Sequence, residues 1–369
     1  MSAAPLPGPR FPRDHRDLTP EILTAALSVH HPGLVVRNLT IVEAIHAATG
    51  RASTADRVIL DLEYEPGPAA QALPRRVILK TMLVAPHAPA VMYETECRFY
   101  REIRPLLAIE APTFFAASFD PDSGQFGLVL EDLTARGASF PDATAEISLD
   151  EVRSLIEHLA TIHARFWGSP ALERDLAWMA TPSRGGMEEI FAQVLPIIEG
   201  LLESEPWRRD IFETIGRPIA DLHADMVHVA ATALENGPRT LLHGDTHIGN
   251  SYRLGEGRMG WLDFQLAHRG CYSRDLTYII TTALPIESRR RYERELIDFY
   301  LGEIRRRGVS TPPSREEAWL LHRRSTLWGL VIGWLICPTA NYGYEITAEN
   351  LRRLAQAIID LEAINAAGR

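Results

Sequence analysis

His243-Gly244-Asp245-Thr246-His247-Ile248-Gly249-Asn250, followed by Trp261-Leu262-Asp263-Phe264-Gln265, is the part of the chain from which the rest can be read. Asp245, Asn250 and Asp263 all offer oxygen. A hard cation such as Mg²⁺ prefers about six oxygen ligands and keeps water or phosphate oxygens among them. An Asn and an Asp from two neighbouring loops suit that role and leave a second Asp as a base. With Asp245 as the base, His243 reads as a structural histidine that bonds the loop backbone. His247 is open between packing the loop and facing a substrate. The stretch also contains H-x-D-x-H (His243, Asp245, His247), and His and Asp are zinc ligands. A metallohydrolase is therefore a second reading, although it leaves Lys80 and Asn250 without a role.

Working outward, the flanks differ in kind. Towards the C-terminus the chain is mostly helical, with long stretches near 187–203, 208–235, 286–307, 315–336 and 347–366. Residues 240–266 interrupt it as short strands and tight turns. Ser148-Leu149-Asp150-Glu151 is a capping box that opens a helix to about Trp167. Towards the N-terminus three runs read as strands: Val35 to Ile45, Arg57 to Tyr64 and Arg75 to Leu83. Val91 to Leu107 reads as a helix and Phe126 to Leu130 as a buried strand. Thr19-Pro20-Glu21 is a helix start. The expected layout is a flexible arm over 1–16, a β-rich lobe over 17–132, a linker over 133–147 and a helical lobe over 148–369.

Composition sets limits. The chain has 369 residues, 46% hydrophobic and 23% charged, which suits an ordinary globular protein of about two to three folding units. Its net charge of −10 gives no electrostatic reason to expect nucleic acid as a partner. Three widely spaced cysteines (Cys97, Cys271, Cys337) argue against a disulfide framework or a zinc knuckle. The first residues lack an apolar signal-peptide core, and the longest apolar run, Leu327 to Cys337, is too short to span a bilayer. A cytoplasmic location without a membrane span is expected. Nothing in the sequence points to a particular oligomeric state. Of 38 basic residues, Lys80 is the only lysine and 37 are arginine. Arg and Lys exchange freely on most surfaces, but not where a compact point charge must meet phosphates.

HGDTHIGN followed by LDFQ resembles the catalytic and metal loops of the aminoglycoside phosphotransferase and choline-kinase-like enzymes. It is most similar to their ecdysteroid-kinase-like branch, with Leu262-Asp263-Phe264-Gln265 and the downstream Asp275-Leu276. The resemblance implies an α+β, protein-kinase-like two-lobed fold and a phosphotransferase that uses ATP and Mg²⁺ on a small-molecule hydroxyl acceptor. It implies Asp245 as the base and Asn250 and Asp263 as metal ligands. It implies Lys80 on the phosphates, oriented by Glu96 in preference to Glu94. Leu128 to Leu133, with Glu131, resembles the adenine-holding hinge, and Leu159 to Ala164 the helix before the catalytic loop. Gly50 and Ser53 are the candidates for a phosphate-covering turn, which is otherwise a poor match. Gly244 and Gln265 stand where protein kinases have Arg and Gly, which points to a small-molecule kinase. A non-catalytic nucleotide-binding protein on the same fold is a third reading. Asp275 is expected to buttress a loop and cap a helix, and His163 to lie in the core.

Overall fold

Alternating side chains build the N-terminal sheet. The computed structural model describes residues 6, 8–47, 54–83, 88–185, 190–255 and 257–369. The chain forms two compact units. One comprises Met1–Leu106, Ala111–Ala138 and Ala340–Tyr342; the other comprises Leu107–Glu110, Ser139–Thr339 and Gly343–Arg369.

The first unit is an antiparallel sheet of β1 (Val36–Ile45), β2 (Asp56–Tyr64), β3 (Arg76–Thr81), β4 (Phe114–Phe119) and β5 (Phe126–Glu131), in the order β1-β2-β3-β5-β4. Val58, Leu60 and Leu62 of β2 and Val77 and Leu79 of β3 alternate onto one buried face. Helix α1 (Pro20–Leu27) covers that face with Leu23, Ala26 and Leu27. The Thr19 side chain caps it by accepting from Ile22 N. Helix α2 (Ala90–Arg98) follows β3. The single helix expected over 91–107 is α-helical only to Arg98, then turns through a π segment (Phe99–Ile103) and a 3-10 segment (Arg104–Leu106). β4 has no signature in the sequence because five of its six residues are buried, so it shows no alternation. Within the arm expected to be flexible over 1–16, Phe11 is buried in the sheet core, and Asp14 caps a short turn over His15–Asp17.

The second unit is helical: α3 (Leu149–Phe166), α4 (Leu195–Ser204), α5 (Pro206–Glu213), α6 (Ile219–Val229), α7 (Ser273–Ala283), α8 (Ile286–Arg306), α9 (Arg315–Trp328), α10 (Tyr344–Asp360) and α11 (Ala363–Ala367). The helix expected over 208–235 is broken because Gly216 adopts φ 68° and Pro218 removes a donor. A π segment, Gly329–Leu335, extends α9. Two small ladders form: β6 (Arg239–Leu242) with β9 (His268–Cys271), and β7 (Ser251–Arg253) with β8 (Met259–Trp261); β6, β7 and β8 match the short strands expected over 240–266, while β9 lies just beyond them. Among the described residues no helix is long and apolar enough to cross a membrane.

The capping box of α3 is fully formed. Ser148 Oγ accepts from Glu151 N at 3.2 Å, and Glu151 Oε2 accepts from Ser148 N at 2.8 Å. Ser148→Ala is expected to destabilise the helical unit by about 1 kcal/mol, read as a lower midpoint in urea with an unchanged slope.

Candidate active site

Lys80, Glu96 and Glu131 lie in the first unit. Lys80 sits next to the end of β3, paired across the sheet with Arg57 and Leu128. It points away from the face that buries Val77, Leu79 and Thr81. Its Nζ lies 2.7 Å from Oε2 of Glu96 on α2, with Glu96 buried. Glu94 is turned outward, near Arg98. Ion pairs this deeply buried contribute little net stability, because desolvation offsets their attraction. Their effect is to fix one charge against another.

The strand ends around Lys80 are clamped by Asp56, which nothing in the local sequence singles out. Asp56 is buried and accepts from Ala47 N at 3.0 Å and Leu83 N at 2.7 Å. Gly50 and Ser53 lie outside the described residues. The Glu131 carboxylate accepts from Thr113 N and Oγ1 at 3.1 and 2.9 Å. The main-chain N–H of Glu131 also donates to Thr113 O at 2.9 Å, so side chain and N–H are both committed to the sheet edge.

Asp245, Asn250 and Asp263 lie in the second unit, on the loops after β6 and β8. The loop after β6 turns at Gly244, where φ is +88° and an added Cβ would fall 1.8 Å from Leu266 O. Only glycine fits, so an arginine at this position is excluded by space as well as by conformation. Asp275, at the start of α7, accepts from His243 N at 2.7 Å and Gly244 N at 2.9 Å. Thr246 Oγ1 donates to Asp275 O at 2.7 Å. Asp275 supports the loop and makes no side-chain cap to its own helix. His163 is in the core as expected, and from there it also holds Asp275. Its Nε2 lies 3.2 Å from Asp275 Oδ2 and its Nδ1 2.8 Å from Tyr300 Oη.

The turn brings Asp245 and Asn250 together. Asn250 Nδ2 donates to both Oδ2 and the main-chain oxygen of Asp245, each at 2.9 Å. Burial first, and then the charge of Asp263, push the Asp245 carboxyl up to about 7; the Asn250 bond acts in the opposite direction. Asp263 adopts φ 65°, a left-handed conformation uncommon for a side-chain-bearing residue. His247 Nδ1 accepts from Gly249 N at 3.2 Å, and its Nε2 lies 4.0 Å from Asp245 Oδ2. Burial pushes His247 down to about 4, so it is neutral.

His243 joins the two loops. Its Nδ1 accepts from Asp245 N at 3.2 Å and its Nε2 donates to Leu262 O at 3.0 Å. Both ring nitrogens are thus occupied by backbone, and burial lowers its pKa. This removes the H-x-D-x-H zinc reading, which needs His243 as a ligand. Among the described residues no group of three or more His, Cys, Asp and Glu side chains could hold a metal. The donors fit Mg²⁺ differently. Asn250 commits its nitrogen to Asp245 and has its side-chain oxygen to offer, Asp263 has a carboxylate, and the remaining ligands of such an ion are water and phosphate oxygens.

Residues 52–307 match the model of the ecdysteroid kinase-like family. The chain belongs to the ecdysteroid kinase-like family. It is a small-molecule kinase, a phosphotransferase acting on a hydroxyl group. No curated protein matches it. Among solved structures it is similar to a choline kinase from Cryptosporidium parvum Iowa II, at 12% identity over 88% of this chain and 91% of that one, TM-score 0.47. It is also similar to a choline kinase from Streptococcus pneumoniae, at 13% identity over 93% and 98%, TM-score 0.45. A macrolide 2'-phosphotransferase from Brachybacterium faecium shows 14% identity over 86% and 97%, TM-score 0.41.

Gly244→Ala is expected to destabilise the helical unit by about 3 kcal/mol, since the added methyl meets a carbonyl rather than a movable side chain. A melting temperature within about 2 °C of the wild type would show that the turn has another conformation available.

Proposed function

We propose that this kinase transfers the γ-phosphate of ATP to a hydroxyl of a small-molecule acceptor, with Asp245 as the base. The observation that carries the reading is the Asp245 carboxyl. It is held by Asn250, lies in the field of Asp263, and has a pKa of about 7. A base with that pKa is poised to orient an acceptor hydroxyl and take its proton near neutral pH. Asn250 and Asp263 are assigned to Mg²⁺, which when bound neutralises charge on the phosphates. Burial is the first cause of the raised Asp245 pKa, and the Asp263 charge that adds to it is the part a divalent cation would relieve. Lys80, aimed by Glu96, is assigned to the nucleotide phosphates, and the hinge around Glu131 to the adenine. Catalysis of this kind is mostly positioning and charge stabilisation, so the set is chemically sufficient.

The test begins with an acceptor screen using γ-labelled ATP over choline-like, aminoglycoside-like and steroid-like alcohols. Against the best acceptor, Asp245→Asn should lower kcat by about 10²-fold or more, with nucleotide affinity retained. Unchanged transfer would remove Asp245 as the base. Nucleotide binding without transfer to any alcohol would favour the non-catalytic alternative.

A second test needs no acceptor. The folded pKa of Asp245 lies above its ordinary value of 3.8, so the fold holds this proton more tightly than the unfolded chain does. The stabilisation from this group is fully present below about pH 4 and is lost as pH rises to about 7. Without Mg²⁺, Asp245→Asn should therefore exceed the wild type in stability at pH 8 by about 4 kcal/mol, and the gain should vanish towards pH 4. Urea melts across that range read it directly.

A further inference from the structure

The first 51 residues lie outside the part of the chain that matches the family, yet residues 8–13 are strapped across the β4–β5 hairpin. Ser118 Oγ donates to Pro9 O at 2.7 Å, and Arg10 pairs with Asp120 at 3.4 Å. Phe11 is 3% exposed and fills the space over Gly127, where an added Cβ would come within 2.2 Å of its ring. Gly127 is the cross-strand partner of Thr81, the residue after Lys80.

Gln125 connects this strap to the end of β3. It is 2% exposed, and its Nε2 donates to Met82 O at 2.8 Å. The same nitrogen lies 3.4 Å from Thr81 Oγ1 and 3.4 Å from Pro12 O. Thr81 Oγ1 in turn donates to Phe126 O at 2.6 Å. Three acceptors converge on one amide nitrogen, while Gln125 Oε1 has no partner among the described residues. A buried amide that leaves its own oxygen unpaired carries a cost of about 1–3 kcal/mol. The ladder of β3 ends at Thr81, so the carbonyl of Met82 depends on a side-chain donor.

We infer that the strap and Gln125 are a positioning device for Lys80. Pro12 O and Phe11 hold the hairpin, Gln125 holds Thr81 and Met82, and the strand end thereby holds the Lys80 ammonium where Glu96 and a phosphate can share it. The inference rests on the assignment of Lys80 to nucleotide phosphates, and its test separates the two. Wild type, Lys80→Met and Gln125→Met of the full chain are titrated calorimetrically with Mg·ATP and with adenosine, which has no phosphate. Lys80→Met is expected to weaken ATP by about tenfold or more and leave adenosine unchanged. Gln125→Met, which keeps the volume and removes the donors, is expected to weaken ATP by about three- to tenfold, again with adenosine unchanged.

If Lys80→Met lowers the ATP-to-adenosine ratio and Gln125→Met does not, the positioning role is overturned and the Lys80 assignment stands. An equal loss of both ligands in Gln125→Met makes Gln125 purely structural and also overturns it. If Lys80→Met leaves the ratio unchanged, the assignment itself fails and the inference falls with it. Should Gln125→Met not fold, Phe11→Leu loosens the strap without touching Gln125 and carries the same comparison.

Discussion

Asp275 lies at the first turn of α7 with almost no exposure, and both its oxygens are committed to the loop that carries Asp245. Taking a carboxylate out of water costs several kcal/mol. Here two backbone N–H groups, a histidine and the start of a helix offset that cost. Burial alone would raise its pKa, but His163 and the neighbouring His243 and His268 bring it net below the ordinary value. The carboxylate stays ionised and accepting, so the N–H groups of His243 and Gly244 have one place to point. Gly244 can then take its left-handed turn against Leu266, His243 can reach Leu262, and Asp245 comes back to Asn250. Without Asp275, two buried N–H groups would be left unpaired in the loop that has to be most rigid.

The use of Arg and Lys follows the same logic. Buried arginines in the helical unit act as multi-point clamps on carbonyl groups. Arg208 donates to Trp334 O and Cys337 O, holding the end of the π segment, and Arg353 bridges Thr282 O and Ala143 O. Arg274 donates to Gly244 O, approaches His268 Nε2 at 3.0 Å and lies over Trp328. A planar fork with five donors suits each of these contacts. Lys80 faces the Glu96 carboxylate. On the proposed reading, a compact ammonium there shares its donors between Glu96 and a phosphate as a point charge. A chain with 37 arginines and one lysine shows this division of labour with unusual clarity.

Much of this is legible in the sequence, for identifiable reasons. Strand β2 alternates, β1 is rich in β-branched residues and helix α3 opens on a capping box, so period, composition and caps locate them. Lys80, Glu96, Asp245 and Asn250 stand out by scarcity or by spacing, and the structure brings them together in two pairs. What escapes is buried on all sides. Every residue of α7 and nearly all of β4 is inside, so neither shows the polar face that marks an amphipathic element. Asp56 and Gln125 escape for a related reason. Each looks like an ordinary polar residue at a strand end, and its meaning lies in contacts with residues 27 and 43 positions away, to Leu83 and Met82. His163 looks like core and is core, yet its hydrogen bond to Asp275 over 112 residues is long-range information that no local window contains.

The site also holds two local costs that stability alone would remove. Asp263 sits at φ 65°, where side-chain-bearing residues incur strain of about 1–3 kcal/mol. Asp245 is buried beside that charge with its pKa raised rather than lowered. Elsewhere in this chain buried or half-buried carboxylates such as Asp275, Glu293 and Glu235 are brought down by partners, so the fold is capable of neutralising them. Local rules broken together, at one point, on loops that the surrounding core holds rigid, are the mark of a site shaped for something other than folding. Binding of a cation there would lower the Asp245 pKa and turn stored repulsion into affinity. On the proposed reading, an ion held by Asn250 and Asp263 would relieve the part of that cost that comes from the Asp263 charge, while the part that comes from burial would remain.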